Sequence, residues 1–179
     1  MLKKILFVLA ALILIFVGVV AMQPSEFHVE RTAEIAAPQG DVFAQVNDFR
    51  KWDAWSPWAK LNPAAKVAFE GPPKGQGTVM SWSGNDEVGE GKMTLVESRP
   101  SEMVKVKVDF VKPFEGSSTS QFAFKPNGDQ TQVTWTMNAQ HNFLEKAFCL
   151  VMNGQKMVGD DMEKGLSQLK AAAESHSPS

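Results

Sequence analysis

Tyrosine is absent from this chain of 179 residues, cysteine occurs once and histidine three times. Without tyrosine, no phenol can serve as an acid. The single Cys149 excludes an intrachain disulfide, and its apolar surroundings mark it as a buried, inert thiol. His28, His141 and His176 are far apart in sequence, and no His-x-x-x-His or Cys-x-x-Cys occurs, so no metal site is expected. Net charge is only −2, and basic residues are scattered, which argues against a nucleic-acid partner. The cluster Gly71 to Gly77 lacks a Gly-Lys-Ser/Thr ending and a following helix, so it reads as a turn and not a phosphate loop. Ser56, between Trp55 and Pro57, reads as a turn or cap residue and not as a nucleophile. Asp48, Asp53, Asp86 and Glu87 stand at helix ends or turns, where capping and solvation are the ordinary roles. Asp48 and Arg50 belong either to the surface or to a pocket mouth. No catalytic residue, metal or cofactor is assigned.

What is present begins with a membrane signal. Lys3 and Lys4 precede an uncharged apolar run from Ile5 to Met22. At 1.5 Å per residue this run is about 27 Å long, close to the bilayer core of about 30 Å. The two lysines favour an N-terminus held in the cytoplasm. Two alternatives stand: a membrane anchor over 1–23, or a signal cleaved near Ala21, since Val19 and Ala21 fit a small-residue pattern. Either places the folded part, 24–174, outside the cytoplasm, in the periplasm if the source is bacterial. Residues 175–179 read as a disordered tail.

After Gln23-Pro24-Ser25, the segment Phe27 to Ile35 alternates as a strand. Pro38 to Asn47 follows as a short helix. Trp52, Trp55 and Trp58 recur every third residue, either as a hydrophobic plug on a sheet or as a pocket rim. Strands are expected over 66–70, 78–84, 88–99, 103–110, 117–125 and 131–140. A bend is expected at 112–116 and a hairpin turn at Pro126 to Asp129. Short connections make the sheet antiparallel.

The stretch from Phe143 to Glu174 closes the chain. Leu144, Ala147, Phe148, Val151, Val158, Met162, Leu166, Leu169 and Ala173 form one helical stripe, which calls for a large apolar partner. A break is expected near Asn153-Gly154, with the main helix from about Gln155. Gly159 and Gly165 serve either close helix–sheet packing or space for a bound molecule. The fold class is therefore α+β: a curved antiparallel sheet of about six or seven strands wrapped around a long C-terminal helix.

Several motifs carry a resemblance. They are Ala37-Pro38 with Val42-Phe43, the run Asn47 to Trp52, Trp55 to Trp58, Gly71-Pro72, Gly75 to Gly77, Trp82 to Asn85, Val88 to Gly91, Val133 to Trp135, and Lys156 to Gly159. Over residues 27–174 the chain resembles the START-like, helix-grip superfamily, in particular the bacterial SRPBCC group labelled polyketide cyclase/dehydrase-like. The resemblance implies an apolar cavity between the sheet and the C-terminal helix. It carries no catalytic motif position by position.

The cavity candidates are Trp55, Trp58, Met80, Trp82, Val108, Phe110, Phe122, Phe124, Trp135 and Met137, with Val151, Val158 and Met162 from the helix. Flexible methionines suit guests of variable shape. The expected function is a membrane-tethered domain that binds a hydrophobic small molecule or lipid. The alternatives are a cyclase or dehydratase that acts by enclosing its substrate, and a partner-binding module with a filled core. The sequence favours a binding protein over an enzyme and fixes no oligomeric state.

Overall fold

The computed structural model describes residues 1–113 and 115–175. Phe114, within the expected bend, and the expected tail beyond Ser175, including His176, lie outside them. The elements are α1 (Leu2–Met22), β1 (Glu26–Ile35), α2 (Gln39–Val46), a 3-10 turn (Phe49–Lys51) running into α3 (Trp52–Trp55), and β2 (Lys66–Glu70). Then come β3 (Val79–Ser83), β4 (Glu90–Arg99), β5 (Met103–Lys112), β6 (Gly116–Asn127), β7 (Gln130–Gln140), α4 (Phe143–Met152) and α5 (Gly154–Glu174).

The seven strands form one antiparallel sheet in the order β1-β7-β6-β5-β4-β3-β2. Period-two alternation gives the sheet an apolar inner face and a polar outer one. Outward residues include Lys105 and Lys107 on β5 and Thr134 and Thr136 on β7, while Val104, Val106, Phe122, Val133 and Trp135 point inward and are buried. Register shifts in β4 at Glu90/Gly91 and Leu95/Glu97 bend that strand, as bulges do. The β6–β7 hairpin turns through Gly128 at positive φ, which two-residue loops require.

The helices cover only part of the inner face. α2 rests on β5, β6 and β7, while α5 packs on β1, α2, α3 and α4. Trp52 and Trp55, together on α3, meet Phe122 at 5.9 and 5.8 Å, and Trp55 meets Trp135 at 6.0 Å. Burial of each such ring contributes roughly 1.5–3 kcal/mol. Their indole N–H groups are not stranded: Trp52 donates to Val46 O at 2.9 Å, Trp55 to Gln45 O at 3.2 Å, and Trp135 to Ser120 Oγ at 2.6 Å.

Two glycines let α5 come this close. A Cβ on Gly165 would stand 2.7 Å from Trp135 Cζ3, and one on Gly159 would strike the Arg31 guanidinium. The space beneath both is thus filled by side chains, which is the close-packing role. Arg31 crosses Gly159 to reach Glu163, Nε to Oε1 2.6 Å. At its C-terminal end α5 is tied to β1 by Lys170, which donates to Glu34 O, and by Glu174, which accepts from Ala36 N.

The single stripe expected from Phe143 to Glu174 is corrected in its first third. Asn153 takes the left-handed conformation (φ 51°, ψ 52°) and separates α4 from α5. Met162, Leu166, Leu169 and Ala173 on α5 are buried as expected. On α4 nothing is buried: Leu144 is 71%, Phe148 53% and Val151 69% exposed. The turn at Asn153 rotates the stripe off the sheet.

Candidate functional site

The strand register defines what remains open. One inner row runs across all seven strands: Phe69, Met80, Met93, Val108, Ser118, Ala139 and Phe27. Beside it lies a second row, Val67, Trp82, Gly91, Phe110 and Gly116. Both rows sit at one end of the sheet, the end where β1 begins and α1 leaves. Neither falls under the main contacts of α2, α3 or α5 on the β2–β4 side. Val67 is 51%, Phe110 42% and Phe69 38% exposed, and Met80, Trp82 and Met93 are half-buried. Contiguous apolar surface of this kind on a sheet is unusual without an occupant.

The open face has a defined rim. Trp82 lies against Phe110, centroids 6.0 Å apart, and its indole donates to Val88 O at 2.9 Å. Arg50 reaches over from the 3-10 turn and lies 4.8 Å above the Phe69 ring. It also donates to Pro73 O, while Asp48 caps its backbone N–H at 3.0 Å. Of the two residues that read as surface or pocket mouth, Arg50 lies over an exposed ring of the open rows and Asp48 caps its turn. Trp58, half-buried, stacks edge-on against Trp135 at 5.8 Å. From α5, Val158 is half-buried against the core.

One polar side chain belongs to these two rows. Ser118 is 8% exposed, and its buried hydroxyl has no hydrogen-bond partner among the described residues. An unpaired buried hydroxyl costs about 1–3 kcal/mol. It lies between Val108 and Ala139, in the covered part of the first row.

The thirteen cavity candidates divide between two places. Trp55, Phe122, Phe124, Trp135 and Met162 are buried in the continuous core, where rings fill the space. Met80, Trp82 and Phe110 stand on the open part of the rows; Val108, in the same row, is buried with the core, and Trp58, Met137 and Val158 are partly buried against it. Val151 projects from α4 into solvent. Val67, Phe69 and Ser118 were not singled out from the sequence. The alternation of Val67 and Phe69 across the 66–70 strand was the available signal; nothing marked Ser118.

Two further hollows flank β1. One, about 360 Å³, lies between β1 and α5, lined by Thr32, Glu34, Glu163, Leu166 and Lys170 among others. The other, about 250 Å³, lies between the exit from α1 and α4, lined by Pro24, Phe27, His141, Lys146 and Cys149 among others. There burial pushes the Cys149 thiol up, and Glu145 adds to the effect, so it is protonated and unreactive at neutral pH. Among the described residues no cluster of His, Cys, Asp and Glu is placed to hold a metal.

The family follows from the match to this architecture. A family model described as polyketide cyclase / dehydrase and lipid transport covers residues 26–174. The chain belongs to that family. The START-like, helix-grip resemblance read in the sequence is thereby shown. Among solved structures it is similar to a protein from Mesorhizobium loti (TM-score 0.63, 11% identity, 85% of this chain and 100% of that one). It is also similar to a protein from Thermus thermophilus (TM-score 0.59, 16% identity, 85% and 100%). A third is the di-domain ARO/CYC StfQ from the steffimycin biosynthetic pathway (TM-score 0.63, 14% identity, 84% of this chain and 51% of that one). At these identities the likeness is one of fold. No curated protein matches the chain.

Proposed function

We propose that the protein is a membrane-tethered binding protein for an apolar small molecule or lipid. The guest lies on the open end of the inner face, against Phe69, Met80, Trp82, Met93 and Phe110. The carrying observation is that Phe69 and Phe110 are exposed, and Met80, Trp82 and Met93 only half-buried, on the part of the inner face outside the main contacts of α2, α3 and α5. The domain, 24–174, is held by α1, a helix of 21 residues that carries no charge after Lys4. Such a helix is about 32 Å long, enough to cross a bilayer core. With Lys3 and Lys4 cytoplasmic, the domain lies on the opposite side.

The buried Ser118 hydroxyl, unpartnered among the described residues, is the one spare side-chain hydrogen-bonding group in these rows, and the polar group of a guest reaches it by displacing the side chains that cover it. Those rows carry no titratable side chain, so the reading is a carrier and not an enzyme. A guest that covers the rows removes apolar area from water at about 25 cal/mol per Å².

The test is photo-crosslinking of the full chain in nanodiscs with a diazirine-bearing fatty acid, followed by peptide mapping. Adducts on the peptides holding Met80, Trp82 and Phe110, lost in Met80→Glu, are expected. Adducts confined to α1, or unchanged by Met80→Glu, would sink the proposal.

A further inference from the structure

α4 has its polarity reversed for a helix on a soluble domain. Leu144, Phe148 and Val151, at steps of four and three, share one face, and each is more than half exposed. Met152, at 52%, extends the patch. Its inward side carries Lys146 and Cys149, which line the hollow beside the exit from α1. The helix is well formed despite this: Asn142 and Glu145 make a capping box, each accepting from the other's backbone N–H, at 3.0 and 2.7 Å.

The position of α4 decides what covers that patch. α1 meets the domain at α4, and Val20 is the buried residue of α1. The Lys146 ammonium donates to Gln23 O at 3.0 Å and Ala21 O at 3.4 Å, so it caps the last carbonyls of α1. Those carbonyls mark where an apolar helix of this length leaves a bilayer. On the tethered reading, α4, which touches α1 beside these carbonyls, therefore lies at the level of the membrane surface. Along the strand direction the open residues of β2–β4 lie at this same end, across the sheet from Phe27.

We infer that the Leu144–Phe148–Val151 face of α4 docks into the surface of the bilayer at the C-terminal end of α1, and sets the open end of the sheet onto the lipid. This rests on the tethered reading above and adds a second, monotopic contact to it. Interfacial helices of this type sink about 5–10 Å into the headgroup and acyl boundary. The guest then passes between the sheet and the membrane without crossing water.

The test uses the full chain in phosphatidylcholine–phosphatidylglycerol vesicles, in a Cys149→Ala background. A fluorophore sensitive to polarity is placed in turn at Leu144→Cys, Val151→Cys, Leu12→Cys on α1, and Asp129→Cys at the far β6–β7 turn. Lipids spin-labelled at shallow or deep acyl positions serve as quenchers. Expected are quenching of the 144 and 151 labels by the shallow quencher, of the 12 label by the deep one, and none at 129. Quenching at 12 with water-like emission at 144 and 151 overturns docking and leaves the tether standing. No quenching at 12 overturns the tether and docking together. Labels at 144 that are shielded from water, unquenched by lipid and crosslinked between copies identify a second copy as the occupant, and also overturn docking.

Discussion

Gly165 lies against the Trp135 indole: a methyl group there would stand 2.7 Å from Cζ3 and 3.0 Å from Pro57 Cδ. Neither neighbour is the loose end of a flexible chain. Overpacking of this sort costs about 1–3 kcal/mol, against about 1 kcal/mol that alanine returns as a helix former. Gly165→Ala should lower the urea midpoint. Gly159→Ala meets only the mobile tip of Arg31, whose pair with Glu163 is partly solvated and worth about 0–1 kcal/mol. Its midpoint should stay near the parent value. Equal losses in the two variants would contradict this account of how α5 is seated.

Ser118→Ala removes a hydroxyl that has no partner in the absence of a guest. Thermal unfolding should be unchanged or shifted upward, since an unsatisfied buried group is relieved. Displacement of the photo-reactive fatty acid by palmitate should weaken, while displacement by hexadecane should not. A lowered melting temperature would show that the hydroxyl already has a bond.

Glu90 titrates below the usual carboxylate range because the Ser83 hydroxyl donates to it, with Lys112 adding a second hydrogen bond and its charge. A depressed folded pKa stabilises the protein above the ordinary carboxylate range, and that contribution is lost as pH falls through the folded value. Ser83→Ala should move the Glu90 titration, followed by carboxyl carbon NMR, upward toward the ordinary value. Lys112→Ala, which removes a hydrogen bond and a charge together, should move it upward as well. No movement in Ser83→Ala would overturn the assignment of the main cause.

Asn142→Ala breaks the capping box of α4, at a cost of about 1 kcal/mol. Because α4 buries no residue, that loss falls on the helix itself. Amide exchange should quicken across Phe143–Met152 while α5 keeps its protection. Faster exchange along Gly154–Glu174 as well would mean that the two helices open together.

The strands were legible because alternation with period two survives in Val104, Val106 and Val108 and in Val133, Trp135 and Met137. The break at Asn153-Gly154 was legible because asparagine and glycine tolerate the left-handed turn found there. The direction faced by α4 was not. Leu144, Phe148 and Val151 are equally apolar whether they meet a sheet or stand exposed, and one left-handed residue decides between the two. The split of the candidate site has a similar cause. Phe122 and Phe110 carry the same ring on neighbouring strands, yet one lies under α3 and the other beyond it. Only the register, which pairs Phe122 with Trp135 and Phe110 with Gly91, tells them apart. Arg31 alternates with Phe27, Val29, Ala33 and Ile35 on one face of β1, and its guanidinium escapes that face by passing over Gly159.

The sheet order also has a kinetic consequence. β1 and β2 follow one another in the chain but occupy opposite edges, six strand spacings or about 29 Å apart. The first strand made finds its only sheet neighbour in the last, with Glu26 opposite Gln140. Until residue 140 has been delivered, β1 is an unpaired ribbon, and the helix that covers it does not yet exist. Pairing over such separations makes folding slow. A chain cut short before β7 would leave the first strand, α2 and the tryptophan turn without their partners, so completion of the fold is reserved for the whole polypeptide.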